Sequence, residues 1–187
     1  MSDAKLALFM MLGQGAARTV RELKETAPPQ SLWLSPSYDL GPLLPEAVRE
    51  ANDAAEAYRL FFVFETYLRA LVVDILSKDQ TVNWWDKVPQ NVKDDVAKLE
   101  ETEEMKAWMA TESRDRSALM TYPQLLSVID HNWKGIFDEV VRDKALIQAA
   151  RNISHLRNTT CHMSAIPPEE VERVRQTIRD WFRMVAP

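Results

Sequence analysis

One segment of the chain combines residue types and a spacing that suggest chemistry, RNISHLRNTTCH at residues 151–162. Within it, Arg157 precedes His162 by five positions. A guanidinium is a permanent cation whose planar fork fits phosphoryl or carboxylate oxygens, and an imidazole exchanges a proton near neutral pH. Such a pair could act on a phosphate ester. The same residues could also form a polar helix end, in which the arginine satisfies the last carbonyls and the histidine caps the helix dipole.

Helical periodicity separates Arg157 from the rest of this segment. A helix predicted over residues 143–161 gathers its apolar side chains on one face. That face comprises Leu146, Ala149, Ala150, Ile153 and Leu156. Arg157 falls on the same face, whereas Arg151 and His155 project to the opposite side. Because a guanidinium among apolar side chains is unfavourable unless it is paired or lines a polar cleft, Arg157 is a candidate functional residue.

His162 can share a site with Arg157 only under a geometric condition. On a straight helix the two side chains would point about 140° apart, after five steps of about 100° each. They can meet if the helix ends or bends across residues 159–161, or if a second subunit completes the site. Thr159 and Thr160 favour such an ending, because threonine is a weak helix former whose hydroxyl can bond back to the backbone.

The charged residues are unevenly distributed along the chain. The net charge of −5 argues against a generic nucleic-acid coat protein, which would be basic. From Lys144 to Pro168, however, there is no acidic residue, so Arg157 is predicted to lie in a local positive field that tolerates phosphate. The single cysteine excludes an internal disulfide, and the three histidines are too scattered for a metal cluster. We therefore expect neither a metal nor a cofactor.

The elements that position this segment are predicted to be helices, with no convincing strand alternation. Residues 1–26 are predicted to be a helix interrupted near Gly13 and Gly15. Residues 27–45, with five prolines, are predicted to be an extended connector pinned by its apolar side chains. Those side chains are Leu32, Trp33 and Leu34. Further helices are predicted at about residues 45–78, 91–108, 122–130, 131–141, 143–161 and 169–185.

This pattern predicts an all-α protein, an up-and-down helical bundle with an extra N-terminal helix and a Pro-rich connector. Residues 1–44 would form the N-terminal arm and connector, and residues 45–187 the helical domain. In the longest predicted helix, Glu65 and Arg69 are spaced for an i,i+4 ion pair. The apolar face of that helix is predicted to comprise Ala51, Ala54, Tyr58, Phe61, Phe62, Tyr67, Leu68, Leu71, Val72 and Ile75.

The apolar run at residues 6–12 raises the question of a secretory signal. A secretory signal begins with a positively charged region, whereas residues 1–5 carry one acid and one base. We therefore expect this run to be a helix that packs on the domain. The longest apolar run in the body of the chain, Leu60–Phe64, is far too short to span a bilayer. A cytoplasmic location, without membrane association, is the expectation.

The spacing of Arg157 and His162, near the end of a late helix, resembles the R-x(4–6)-H signature of HEPN domains (higher eukaryotes and prokaryotes nucleotide-binding). The rest of the chain agrees, with a long helix bearing Glu65 (VFETYLRALV), a WW…VP segment and a closing helix. The arrangement looks most like the HEPN branch attached to RNA-surveillance and defence endonucleases. The resemblance covers about residues 45–187.

The resemblance implies a metal-independent endoribonuclease that works as a homodimer, with two motifs facing each other across a cleft. His162 would take a proton from a ribose 2′-hydroxyl, and Arg157 would stabilise the charge on the phosphoryl oxygens. The partner's histidine would protonate the leaving oxygen, which gives a 2′,3′-cyclic phosphate. Asn158 would orient the substrate or the imidazole. Glu65 could then reach Arg157 and fix its orientation, with Arg69 beside it.

The resemblance also bears on partners. RNA would be the substrate, in RNA processing or in a toxin or defence role, and an antitoxin or regulatory protein is a further candidate partner. Toxins of this family that pair with nucleotidyltransferase antitoxins carry a tyrosine two residues after the histidine. Ser164 stands there, which disfavours a tyrosine-modifying partner. Lys144, Arg151 and His155 are candidate RNA contacts, or simply a solvated face. A HEPN-fold module that binds RNA, a nucleotide or a protein without cutting remains the alternative.

Overall fold

The computed structural model describes residues 5, 9–16, 18–19, 30–105 and 115–185. The chain forms two compact units, Met1–Asn52 and Asp53–Pro187, and the boundary falls inside the helix α1, Pro45–Leu76. The predicted end of a helix at residue 108 lies outside the described residues. No helix in the described ranges is long and apolar enough to cross a membrane.

The first unit contains a small hairpin that the sequence did not predict. Strand β1, Trp33–Ser35, pairs antiparallel with β2, Tyr38–Asp39. The carboxylate of Asp39 accepts hydrogen bonds from the backbone N–H groups of Leu32 and Gly41 at 2.8 and 2.9 Å, which closes the loop around the hairpin. The predicted extended connector is therefore wrong for these residues, because the Ser-Pro-Ser turn lets so short a segment fold back on itself.

Two further expectations for the first unit are corrected. Leu32, Trp33 and Leu34, predicted to pin the connector, are all exposed. Residues 9–16 are helical straight through Gly13 and Gly15, so the predicted interruption is absent there. In an exposed helix interior, glycine lowers stability by about 1 kcal/mol without obliging the helix to break. The rest of the predicted N-terminal helix, residues 1–4, 6–8, 17 and 20–26, lies outside the described residues.

The second unit is built from helices whose starts follow local capping rules. Helix α1 begins at Pro45, where a missing N–H is harmless, with Glu46 in its first turn. Asp143 caps the helix α4 by accepting from the N–H of Ala145 at 2.8 Å. The described α-helices after α1 are α2 (Gln90–Met105), α3 (Tyr122–His131), α4 (Lys144–Asn152), α5 (Ser154–Cys161) and α6 (Pro168–Val185), and short 3₁₀ helices lie at Trp84–Lys87 and Arg116–Leu119. The predicted all-α fold is confirmed.

Two predicted helices are not as expected. The helix predicted at 131–141 is replaced by an irregular turn over Trp133–Phe137, because Gly135 adopts a φ of 83° and Lys134 is extended. The helix predicted over 143–161 is two helices, α4 and α5, joined at Ile153. Of the predicted apolar face, Ala150, Ile153 and Leu156 are buried, whereas Leu146 and Ala149 are only partly buried and Ile147, which that face omitted, is buried.

The core of the second unit is centred on α1. Its inward face repeats at helical spacing through Ala57, Phe61, Phe64, Leu68 and Val72, all buried. Phe64 packs edge-on against Trp181 of α6, with ring centroids 5.5 Å apart, and lies 6.0 Å from the ring of Tyr122 of α3. Helix α4 packs between α3 and α6. These contacts fix α1 and the α4–α5 pair in one core.

Tyr122 links the core to the break between α4 and α5. Its ring is fully buried, and its hydroxyl donates a 2.8 Å hydrogen bond to the carbonyl of Ala150, in the last turn of α4 where carbonyls lose their helical partners. Burial, and then the negative charge of Glu65, raise the pKa of this hydroxyl. The hydroxyl therefore stays a proton donor throughout the physiological range.

Replacing Tyr122 with phenylalanine is expected to lower the free energy of unfolding by about 1–2 kcal/mol, because it leaves a buried carbonyl without its donor. Urea denaturation followed by circular dichroism measures the change. Tyr38→Phe is the matched control, because Tyr38 is half exposed and the loss of its hydroxyl should change stability by less than about 0.5 kcal/mol. Equal stability of the two variants would contradict the expectation.

Candidate functional site

An ion pair joins α1 to α5 at the position that the sequence singled out. The Nε and Nη2 atoms of Arg157 donate to the two carboxylate oxygens of Glu65, at 3.1 and 3.4 Å. The Glu65 side chain is 13% exposed and that of Arg157 is 24% exposed. A bidentate pair of this kind fixes the orientation of the guanidinium plane as well as its position. The structure thus brings Arg157 and Glu65 together across 92 residues of sequence.

Arg69 shares the same carboxylate. Its Nη2 atom lies 3.3 Å from Glu65 Oε1 and 3.4 Å from the carbonyl oxygen of Met120, and its Nε donates to the carbonyl of Ser117 at 2.8 Å. These carbonyls belong to the segment that precedes α3. Arg69 is therefore anchored to the protein on two sides, and Glu65 serves two arginines at once. The i,i+4 pair and the longer-range pair, considered separately from the sequence, are one network.

An open cleft of about 220 Å³ adjoins this network. One side consists of aromatic residues of α1, and the other consists of the ion-pair network with the last turn of α5. The lining residues are Tyr58, Phe61, Phe62, Glu65, Thr66, Arg69, Arg157, Thr160 and Cys161. The cleft is thus lined by a guanidinium on one side and by aromatic side chains of α1 on the other.

Arg157 keeps donors for a ligand in this cleft. Its contacts with Glu65 engage Nε and Nη2, and the described part of the chain offers no partner to Nη1. A guanidinium carries five N–H groups, so both N–H groups of Nη1 and one of Nη2 remain. Two such groups in one plane match two oxygens of a phosphate. With two guanidiniums against one carboxylate, the network also keeps a net positive charge for an anion.

The helix ends just where a shared site would require. The hydroxyls of Thr159 and Thr160 bond back to the carbonyls of His155 and Leu156, at 3.0 and 2.9 Å, and α5 stops at Cys161. His162 is the C-cap, and its N–H bonds to carbonyls of the last turn. Met163 follows with a φ of 59°, and Ser164 donates its N–H to Thr159 at 3.2 Å. This is a Schellman ending, in which the chain leaves the helix direction at Met163, immediately after His162.

Met163 occupies a left-handed position that glycine fills best, and its side chain is 94% exposed. We expect Met163→Gly to raise the free energy of unfolding by about 0.5–1 kcal/mol, because relief of the left-handed conformation outweighs the larger entropy of unfolded glycine. Thermal or urea denaturation provides the measurement. Met163→Ala keeps the Cβ atom and should show no gain, so equal stability of the two variants would contradict the interpretation.

His162 and Asn158 are both exposed, and neither belongs to the residues that line the cleft. His162 immediately follows Cys161, which does line the cleft, but neighbouring residues of a helix point about 100° apart, so connectivity alone does not bring the imidazole into it. The helix-capping interpretation of His162 and the catalytic one are therefore compatible, since its backbone caps α5 while its side chain is in solvent. Arg157, by contrast, pairs with a carboxylate rather than with helix-end carbonyls.

The candidate RNA contacts Lys144 and Arg151 are paired with an acid that the sequence did not single out. Lys144 Nζ lies 2.7 Å from Asp130 Oδ1, and Arg151 Nη2 lies 2.8 Å from Asp130 Oδ2. The hydrogen bond from Lys144 and then that from Arg151 lower the pKa of Asp130, which favours its charged form. His155 is exposed. The acid-free segment is therefore not an unopposed positive field, because acids from α1 and α3 pair with all three of its Lys and Arg residues.

Two lining residues of the cleft contradict the predicted apolar face of α1. Tyr58 and Phe62 were predicted to be buried, but they are 52% and 59% exposed. Phe64, which that face omitted, is fully buried. The spacing of Ala57, Phe61, Phe64 and Leu68 was the available signal, because it repeats every three to four residues whereas Tyr58 and Phe62 lie beside it. Tyr58 and Phe62, which do not fit that repeat, could therefore have indicated a surface site from the sequence.

A metal site has no evident ligands in the part of the chain that the structure describes, where no three His, Cys, Asp or Glu side chains are grouped to hold an ion. The cleft itself offers one carboxylate and one thiol, from Glu65 and Cys161, beside two guanidiniums.

The fold and the site together define a class of protein, an all-α bundle that presents an Arg-x4-His motif at the end of its penultimate helix. A family model described as Swt1-like HEPN matches residues 59–186, which is more than half of the chain. The chain belongs to the Swt1-like HEPN family, and the predicted resemblance to HEPN domains is confirmed. No curated protein and no solved structure matches it.

Proposed function

We propose that the chain is a metal-independent endoribonuclease that acts as a homodimer. The observation that carries this proposal is the ion pair between Glu65 and Arg157, which presents part of a guanidinium to an open cleft beside the helix end that bears His162. HEPN membership supports an RNA-cleaving or RNA-binding module. The presence of an oriented cation and an exposed imidazole in one motif favours cleavage over binding alone.

In the proposed reaction, His162 removes the proton from a ribose 2′-hydroxyl, and the oxygen attacks the adjacent phosphorus. The remaining N–H groups of Arg157 bind the phosphoryl oxygens and stabilise the charge that accumulates on them. The bond from phosphorus to the 5′-oxygen breaks, and the His162 imidazolium of the second protomer supplies a proton to that oxygen. The products are a 2′,3′-cyclic phosphate and a free 5′-hydroxyl. Asn158, beside Arg157 in sequence, would orient the substrate or the imidazole.

The homodimer is part of the proposal, because one exposed imidazole cannot deliver and accept a proton on opposite sides of a phosphate. Cys161, the single cysteine, is exposed at the end of α5 beside His162. If two motifs face each other, a short bismaleimide should link Cys161 of one protomer to that of its partner. Near pH 7 a maleimide reacts far faster with a thiol than with an amine or imidazole, and Cys161 is the single cysteine, so the cross-link is specific. A dimer by sedimentation that resists this cross-link would contradict the facing arrangement.

The role would be RNA processing or a toxin or defence function, held in check by a regulatory protein or antitoxin. Ser164 occupies the position two residues after His162, is exposed and uses its N–H for the helix ending. A partner that modifies a tyrosine would find none at this place.

One observation favours a second candidate, a HEPN-fold module that binds RNA, a nucleotide or a protein without cutting. His162 is exposed and lies outside the set of residues lining the cleft, whereas the guanidinium and the aromatics lie within it. A binding module needs only the latter. Affinity for RNA that survives in a protein that never cuts it, with EDTA or without, would favour this candidate.

A further inference from the structure

Two aromatic side chains on the outer edge of α1 have no role in the core. Tyr58 and Phe62 stand one helical turn apart, with ring centroids 6.0 Å from each other and planes inclined by 29°. Each is more than half exposed, although Phe61 and Phe64 of the same helix already fill the interior. Large aromatic rings left in solvent as a contiguous pair generally mark a binding surface. The two stacked rings form an exposed aromatic surface, called the ledge below.

The ledge and the phosphate-binding donors face one cleft. Tyr58 and Phe62 line the same 220 Å³ space as Arg157 and Arg69. Two guanidiniums share the single carboxylate of Glu65, so the polar side of the cleft keeps a positive charge. An aromatic surface next to a guanidinium that keeps free N–H donors matches a molecule that joins a flat ring to an anion. A nucleotide has both parts, since its base presents a π-face and its phosphate is negative.

The size of the cleft restricts the form of the nucleic acid. The volume of about 220 Å³ lies below the ~300 Å³ at which pockets for drug-sized ligands begin, so the cleft has room for part of one nucleotide and none for a double helix. In a duplex, both faces of each base are covered by its neighbours, and only unpaired bases can be splayed onto aromatic side chains. The ledge can therefore be used only by an unpaired nucleotide.

We infer that Tyr58 and Phe62 form a stacking platform for one unpaired base of an RNA strand whose adjacent phosphate is bound by Arg157. The inference rests on RNA as the ligand of the proposed function, but it does not require that the RNA is cut. It makes Tyr58 and Phe62 the residues that select single-stranded over duplex RNA, while Arg157 provides affinity for phosphate of any sequence.

The test measures the affinity of a short, unstructured, fluorescein-labelled RNA by anisotropy, with His162→Ala in every protein so that the probe stays intact. Replacing Tyr58 and Phe62 together with leucine keeps apolar surface but removes the π-faces. We expect this change to weaken binding roughly 5- to 150-fold, the range for loss of one stacked base. The conservative exchange Tyr58→Phe with Phe62→Tyr should retain the affinity. Val63→Ala removes an equally exposed side chain of α1 outside the cleft and should change nothing.

Two further arms separate the platform from other uses of the ledge. The same RNA annealed to its complement should bind more weakly, and the leucine changes should not affect it. Unpaired RNA should also slow the reaction of maleimide with Cys161, which lines the same cleft, and the leucine variant should lose this protection. A change in sedimentation upon leucine substitution, with RNA affinity unchanged, would assign the ledge to a protein surface and overturn the inference.

The outcomes also distinguish this inference from the proposed function. Binding that depends on the aromatic rings, by a protein that cuts no RNA, supports the platform and removes the ribonuclease. If the protein cuts RNA and the leucine changes alter neither its affinity for RNA nor its cleavage rate, the ribonuclease is supported and the platform is overturned. A protein with no measurable affinity for unpaired RNA overturns both.

Discussion

Replacement of His162 with alanine is expected to lower the rate of RNA cleavage by about 10²- to 10⁴-fold, the range for loss of a general acid–base group. In the proposed dimer one change removes both the base and the acid, so the upper part of the range applies. Because the imidazole is exposed, the free energy of unfolding and the affinity for RNA should change little. Single-turnover cleavage with protein in excess over a labelled RNA separates the chemical step from binding.

His155→Ala is the matched control for this experiment. His155 is also exposed and belongs to α5, the helix whose C-cap is His162, but the family spacing does not select it. Its replacement should leave cleavage within about twofold and stability within about 0.5 kcal/mol. If both histidine variants lose activity equally, or if neither does, His162 is not the proton-transfer group.

Glu65→Gln is expected to have the second-largest effect, on stability and on cleavage together. The amide is nearly the same size but cannot balance the charge of either arginine, so two half-buried guanidiniums are left facing each other. We expect a loss of about 1–3 kcal/mol in the free energy of unfolding. Arg157 is then no longer held in one orientation. We therefore expect the cleavage rate of the folded protein to fall roughly 10- to 100-fold.

The control for Glu65 is another glutamate of α1. Glu56 pairs with Arg175 of α6, but both side chains are well exposed, so Glu56→Gln should cost at most about 1 kcal/mol and leave cleavage unchanged. A double-mutant cycle of Glu65→Gln with Arg157→Lys would then give the coupling between the pair, expected at about 0.5–3 kcal/mol. Additive effects of the two changes would show that the ion pair does not position Arg157.

Much of the fold follows from signals that lie within a few residues of one another. The start of α1 at Pro45 and of α6 at Pro168, each with an acid in its first turn, follows from capping and dipole rules. Thr159 and Thr160 predicted that a helix could end across residues 159–161, and both hydroxyls do bond back to carbonyls of α5. Arg157 was singled out by helical periodicity alone, because a charge on an apolar face is unfavourable without a partner.

The remaining features depend on contacts between residues far apart in sequence. The break at Ile153 depends on such contacts, since Tyr122 donates to the carbonyl of Ala150 from another helix. The positive field predicted for residues 144–168 was likewise too strong, because Asp130 of α3 and Glu65 of α1 form ion pairs with this segment. Which acid meets which cation is decided by tertiary packing.

The most direct test of cleavage through Arg157 and His162 is end-group analysis of an unpaired RNA incubated with the protein in EDTA. We expect the wild-type protein to produce fragments with a 2′,3′-cyclic phosphate and a 5′-hydroxyl, and Arg157→Ala and His162→Ala proteins to produce almost none. Fragments with a 5′-phosphate, cleavage that disappears with EDTA, or cleavage that persists in both variants would contradict the proposed mechanism.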